Sequence, residues 1–139
     1  MDEAGFWRVR VKIIIGLRGT GIAAAALFVV AAPITAQTAP GVAPPAFGAC
    51  RACHTVQKGG RNGIGPNLYG VVGRVAAAVP GFNYSAAMKA SNLRWDEATL
   101  GDYLAAPAKK VPGTRMPIAT PDPAKRAAII AYLKAEGMK

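Results

Sequence analysis

Cys50-Arg51-Ala52-Cys53-His54 sets two thiols three positions apart and an imidazole directly behind the second. This spacing is the pattern for covalent haem attachment. Each thiol adds across one haem vinyl group, so two sulfurs must reach two edges of one porphyrin. Residues three apart on a helical turn share a face, and the histidine that follows can aim a ring nitrogen at the iron.

Competing chemistry for the stretch fares poorly. A structural zinc site takes four Cys or His ligands, and Cys50, Cys53 and His54 are the only Cys and His residues in the chain. A thioredoxin-like dithiol belongs beside a βαβ pattern, and no strand-rich runs supply one. A disulfide closing so short a loop would constrain the unfolded chain little. If haem is bound, His54 is the only imidazole that can reach the iron.

Downstream, residues 59–81 hold seven glycines and no helical or strand periodicity, which predicts loop. A loop of that length suits a chain wrapped around a cofactor. The Gly-Lys-Ser/Thr ending of a phosphate loop is missing. Upstream, Pro44 and Pro45 bar a long helix, although a short one can start at Pro45 and carry Phe47 and Cys50 on one face. Residues 37–45 are rich in Ala and Pro and read as a linker. Before them, Arg8, Arg10, Lys12 and Arg18 precede an apolar core over residues 21–32, and small residues end at Ala36. Residues 1–36 therefore read as a secretory signal, with an uncleaved membrane anchor as the alternative. Both put residues 46–139 outside the cytoplasm.

The chain of 139 residues carries 17 Lys and Arg against 7 Asp and Glu, a net charge of +10. Setting aside the four basic residues above with Asp2 and Glu3 leaves 13 basic and 5 acidic residues, a net +8. Such a charge favours acidic partners through long-range steering. Nucleic acid is excluded as a partner, because no basic helix, aromatic RNA-binding motif or zinc finger accompanies the charge. Membrane contact is expected only if the leader stays uncut.

The second half is helical. Ser85 can cap a short helix through Ala90. Asp96 can cap another from Glu97 to about Ala106, ended near Pro107, with Thr99, Leu100, Tyr103 and Leu104 on one face. Asp122-Pro123 opens a last helix that Gly137 closes. Its stripe is Ile129, Ile130, Tyr132 and Leu133, with Lys125, Arg126, Lys134 and Glu136 toward solvent. The chain is all-α, of short helices and long loops. A sixth iron ligand must be Met, Lys or an open position. Met138 is next to last and Met88 sits in a helix. Met116 stands in a run held extended by Pro112, Gly113 and Pro117, free to present its thioether.

From about Phe47 to Leu133 the chain resembles the class I c-type cytochromes, the short mono-haem kind of bacteria and mitochondria. The likeness rests on residues 50–56, Gly65-Pro66-Asn67-Leu68, Gly81-Phe82-Asn83-Tyr84, Trp95 and Pro112-Gly113-Thr114-Arg115-Met116. It implies a small cytochrome c fold around one covalent haem c, its iron between His54 and Met116. It implies that the Pro66 carbonyl accepts a hydrogen bond from His54, that Arg74, Tyr84 and Trp95 hold the haem propionates, and that Tyr103 and Thr114 lie beside the methionine. The family's N-terminal helix is usually longer than Pro44-Pro45 permits, which puts its packing on the last helix in question.

The function implied is one-electron transport by a periplasmic monomer, not an enzyme, that docks on acidic redox partners through Arg51, Lys109, Lys110 and Arg115. The alternatives are a dedicated cytochrome subunit of a periplasmic dehydrogenase, or a haem peroxidase or gas sensor with a labile sixth ligand.

Overall fold

The computed structural model describes residues 41–139. The leader expected over 1–36 and the start of the linker lie outside them. A 3-10 helix, Pro45–Ala52, is followed by four α-helices: α1 Ala86–Ala90, α2 Glu97–Ala105, α3 Pro107–Lys110 and α4 Pro123–Glu136. Among the described residues strand pairing is limited to an isolated bridge between Val75 and Arg94. No described helix is long and apolar enough to cross a membrane.

Each helix starts where its cap chemistry requires. The Ser85 hydroxyl accepts from Met88 N at 3.1 Å, and Asp96 Oδ1 accepts from Thr99 N at 2.7 Å. Asp122 Oδ1 accepts from Ala124 N and Lys125 N at 2.8 and 3.1 Å, with Pro123 filling the first position, where a missing N–H costs nothing. Pro107 both ends α2 and opens α3. Ala106 before it has left the helical region, φ −155° and ψ 79°, as a residue preceding proline is pushed to do. The sequence reading took Pro107 only as a stop and missed α3.

The core is built where α2 crosses α4 and the 3-10 helix packs on α4. Leu100, Tyr103 and Leu104 face Ile129, Ile130, Tyr132 and Leu133, all buried. Despite its shortness, the 3-10 helix reaches α4: Phe47 is fully buried and meets Tyr132 edge-on at 4.8 Å between ring centroids. α4 then runs onto the glycine-rich loop. A Cβ at Gly137 would stand 2.9 Å from Gly70 Cα, so glycine is required there for close approach, although its φ is −71°. One side chain departs from expectation. Glu136 is buried rather than solvent-facing and pairs with Lys139. It continues the buried stripe, seven residues after Ile129 and three after Leu133.

Residues 59–81 form loop throughout, organised by Asn67, which is 8% exposed. Asn67 Nδ2 donates to Thr55 Oγ1 at 2.6 Å and Gln57 O at 3.0 Å, and its Oδ1 accepts from Tyr69 N at 2.9 Å. The loop's end pairs with the segment before α2, through Gly73 N to Trp95 O at 2.7 Å and Trp95 N to Arg74 O at 2.8 Å.

Candidate haem site

A cavity of about 300 Å³ lies between the 3-10 helix, the glycine-rich loop, α1, α2, α4 and the methionine loop. Every residue expected to hold the haem or its iron lines it: Cys50, Cys53, His54, Pro66, Arg74, Tyr84, Trp95, Tyr103, Thr114 and Met116. The last turn of the 3-10 helix and its exit bring both thiols and the imidazole to one wall. His54 N donates to Cys50 O at 3.0 Å, which keeps the helical turn going to the histidine. The two cysteines form no disulfide with each other. Burial pushes the Cys50 thiol up from its ordinary value.

The His54 Nδ1–H donates to the Pro66 carbonyl at 2.7 Å, which leaves Nε2 with the lone pair. Burial holds the ring below its ordinary pKa, against the opposing pull of the Pro66 bond, so the imidazole is neutral at pH 7. The ring lies against the backbone of Gly65, where a Cβ would fall 2.2 Å from His54 Cε1. Any other residue at 65 would drive the imidazole out of its seat.

The methionine loop is held by hydroxyls. Tyr103 OH and Thr114 Oγ1 are 2.6 Å apart, and Met116 N donates to the same Thr114 oxygen at 3.3 Å. Burial raises the Tyr103 pKa, partly offset by Thr114, so the phenol stays protonated. Trp95 stacks obliquely on Tyr103 at 5.0 Å. Met88 is buried in the cavity wall, and Met138 is 75% exposed.

Arg74 is half-buried. Its Nη1 donates to Tyr69 O at 2.8 Å and its Nη2 to Asn67 O at 3.0 Å. No carboxylate pairs with it among the described residues, so the hydrogen bonds of this cation in the cavity wall go to backbone carbonyls. Burial lowers its pKa and raises that of neighbouring Tyr84.

These features fit a haem: two cysteine sulfurs beside a lone-pair nitrogen, a thioether from a second loop, an apolar interior, and an arginine that can take an anionic group such as a propionate. The sequence reading assigned no role to Gly65, whose need is visible only as close approach, nor to Ile64 and Ile118. These two stand 82% and 45% exposed at the cavity. Lys110 is less free than expected, because its Nζ pairs with Asp102 at 2.9 Å.

Fold and site together define a covalent haem protein of the electron-transfer class. No family model matches the chain. It is 53% identical over 93 residues to cytochrome c2 iso-2 of Magnetospirillum fulvum, covering 66% of this chain and 96% of that protein. It is 51% identical over 94 residues to cytochrome c2 of Rhodoblastus acidophilus, covering 65% and 88%. Among solved structures, cytochrome cH from Methylobacterium extorquens matches with a TM-score of 0.60 at 50% identity, over 64% of this chain and 90% of that one. The chain belongs to the class I c-type cytochromes, alongside cytochrome c2. It is a mono-haem electron carrier that holds one covalently attached haem c.

Proposed function

We propose that Cys50 and Cys53 are the covalent anchors of the haem, His54 and Met116 its axial ligands, and Arg74, Tyr84 and Trp95 the holders of its propionates. In this reading residues 46–139 are the haem domain, behind a leader over 1–36 and a linker over 37–45. The protein works as a monomer on the periplasmic side and catalyses no reaction of its own. The haem supplies a one-electron Fe(II)/Fe(III) couple. The carrying observation is the 2.7 Å bond from His54 Nδ1–H to Pro66 O, which orients the imidazole and leaves only Nε2 for the iron. The bonds of Thr114 to Tyr103 and Met116 favour retention of the thioether, and hence electron transfer over ligand exchange. Partner docking is supported by exposed Ile64 and Ile118, which line the cavity with Arg115, and by the exposed cations Arg51 and Lys109.

The test is an absorption spectrum of the purified protein, oxidised and reduced, with carbon monoxide added to the reduced form. The expected result is a low-spin spectrum with the weak red band of methionine bound to ferric iron and no response to carbon monoxide. Met116→Ala should abolish that band. Ready carbon monoxide binding by the parent protein would overturn the Met116 assignment in favour of a sensor or peroxidase.

A further inference from the structure

Asn62 does not line the cavity, yet it is one bond removed from the histidine seat. The Pro66 carbonyl and the Asn67 N–H belong to one planar peptide unit. The carbonyl end accepts from His54 Nδ1–H at 2.7 Å, and the N–H end donates to Asn62 Oδ1 at 2.9 Å. The two ends of a single rigid plane are therefore pinned, one on the imidazole and one on Asn62. The side chain of Asn62 is itself fixed, because its Nδ2 donates to Pro80 O at 3.2 Å. The Pro80 carbonyl can only accept and the Asn67 N–H can only donate, so these two partners allow one orientation of the Asn62 amide.

Two consequences follow from elementary hydrogen-bond chemistry. Rotating the peptide would break both bonds at once, so Asn62 holds the carbonyl on the ring. An amide whose N–H is donated also carries more negative charge on its oxygen, since bonded chains polarise one another. The Pro66 oxygen is then a stronger acceptor for the Nδ1 proton, which makes Nε2 a stronger donor. The ring also packs closely on the backbone of Gly65, which confines its seat from that side. Asn67 adds no competing pull on its own N–H, because its side chain is committed to Thr55, Gln57 and Tyr69.

We infer that Asn62 is a positioning residue for His54: its amide holds and polarises the Pro66–Asn67 peptide that takes the Nδ1 proton, and thereby lowers the haem potential from outside the cavity. This rests on the proposed haem ligation by His54. A stronger imidazole donor favours the ferric iron, so losing Asn62 raises the potential.

The test uses the holoprotein with Asn62→Ala and Asn62→Asp. Three quantities are read: the midpoint potential, the solvent exchange rate of the His54 Nδ1 proton by NMR, and the thermal midpoint. Asn62→Ala is expected to raise the potential and speed ring-proton exchange about ten-fold, the factor that an ordinary hydrogen bond is worth. A lower thermal midpoint with parent-like potential and exchange would reduce Asn62 to a tie between loops and overturn the inference. Asn62→Asp keeps an oxygen for the Asn67 N–H, as a stronger acceptor, and removes the donor to Pro80, so its ring proton should stay at least as protected as in the parent. If that proton exchanges freely, the inference fails even where Asn62→Ala does not fold. A parent protein without a low-spin haem spectrum overturns the ligation reading itself, whereas an intact spectrum with unmoved potential and exchange rejects only the role of Asn62.

Discussion

Thr114 Oγ1 serves two groups, the Tyr103 phenol at 2.6 Å and Met116 N at 3.3 Å. Neither Tyr103 nor Thr114 is exposed, so removing one partner strands the other away from water. Tyr103→Phe and Thr114→Val should each cost about 1–3 kcal/mol, and the double variant less than their sum, because the two changes delete one shared interaction. Chemical denaturation of the four proteins measures the coupling; strict additivity would mean that the two hydroxyls act independently. At this scale the sequence was legible where short spacing dictates placement, as with Cys50, Cys53 and His54, which line one cavity. It was misleading at Glu136, whose charge suggested solvent while its spacing from Ile129 and Leu133 put it on the buried stripe. It was silent on Gly65, where the demand is a 2.2 Å approach to a ring eleven residues earlier.

Helix starts were read closely because a cap is a local contract between one side chain and the next few N–H groups. Asp96 and Asp122 both do this, and the backbone N–H groups of Thr99 and Lys125 are the leading reason that their carboxyls lie below the ordinary 3.8. The folded pKa is depressed, so each cap contributes fully above about pH 4 and loses its contribution as pH falls through the folded value. Asp122→Asn retains a capping oxygen without a titrating charge. Its thermal midpoint should fall less than the parent's between about pH 4 and about pH 2, and parallel acid limbs would argue against the cap. Packing between elements was harder to foresee. The short 3-10 helix compensates for its length with one fully buried ring, Phe47 against Tyr132. Phe47→Ala should cost about 3–5 kcal/mol in denaturant titration. A cost below about 1 kcal/mol would mean that the contact with α4 is dispensable.

Across the molecule, charge is unevenly spread. Residues 41–95 and 103–121 contain no Asp or Glu. The acids of the domain sit at α2, α4 and their caps, and each is engaged: Glu97 with Lys134 at 2.6 Å, Asp102 with Lys110 at 2.9 Å, Glu136 with Lys139, and Asp96 and Asp122 with helix N–H groups. The exposed cations Arg51, Lys58, Arg61, Lys109 and Arg115 have no acidic partner among the described residues. The field they make extends about 8 Å at physiological salt. Electron transfer to an acidic partner should therefore slow steeply as salt rises, and Arg115→Glu should lower the association rate while leaving the potential near that of the parent. A rate flat in salt by stopped-flow would remove steering from the account.

Composition and short-range pattern were enough to settle the covalent haem motif, the absence of any second imidazole, the capped helices and the long cofactor-wrapping loop, because each depends on neighbours within a few residues. What only tertiary structure decided was how distant pieces of backbone meet. Pro66 O meets the ring twelve positions before it, Asn62 holds the other end of that peptide, Gly70 leaves room for Gly137, and Arg74 is ringed by carbonyls rather than carboxylates. Backbone groups are the same at every position in the chain. Their partners are set by packing distance, which no residue type records.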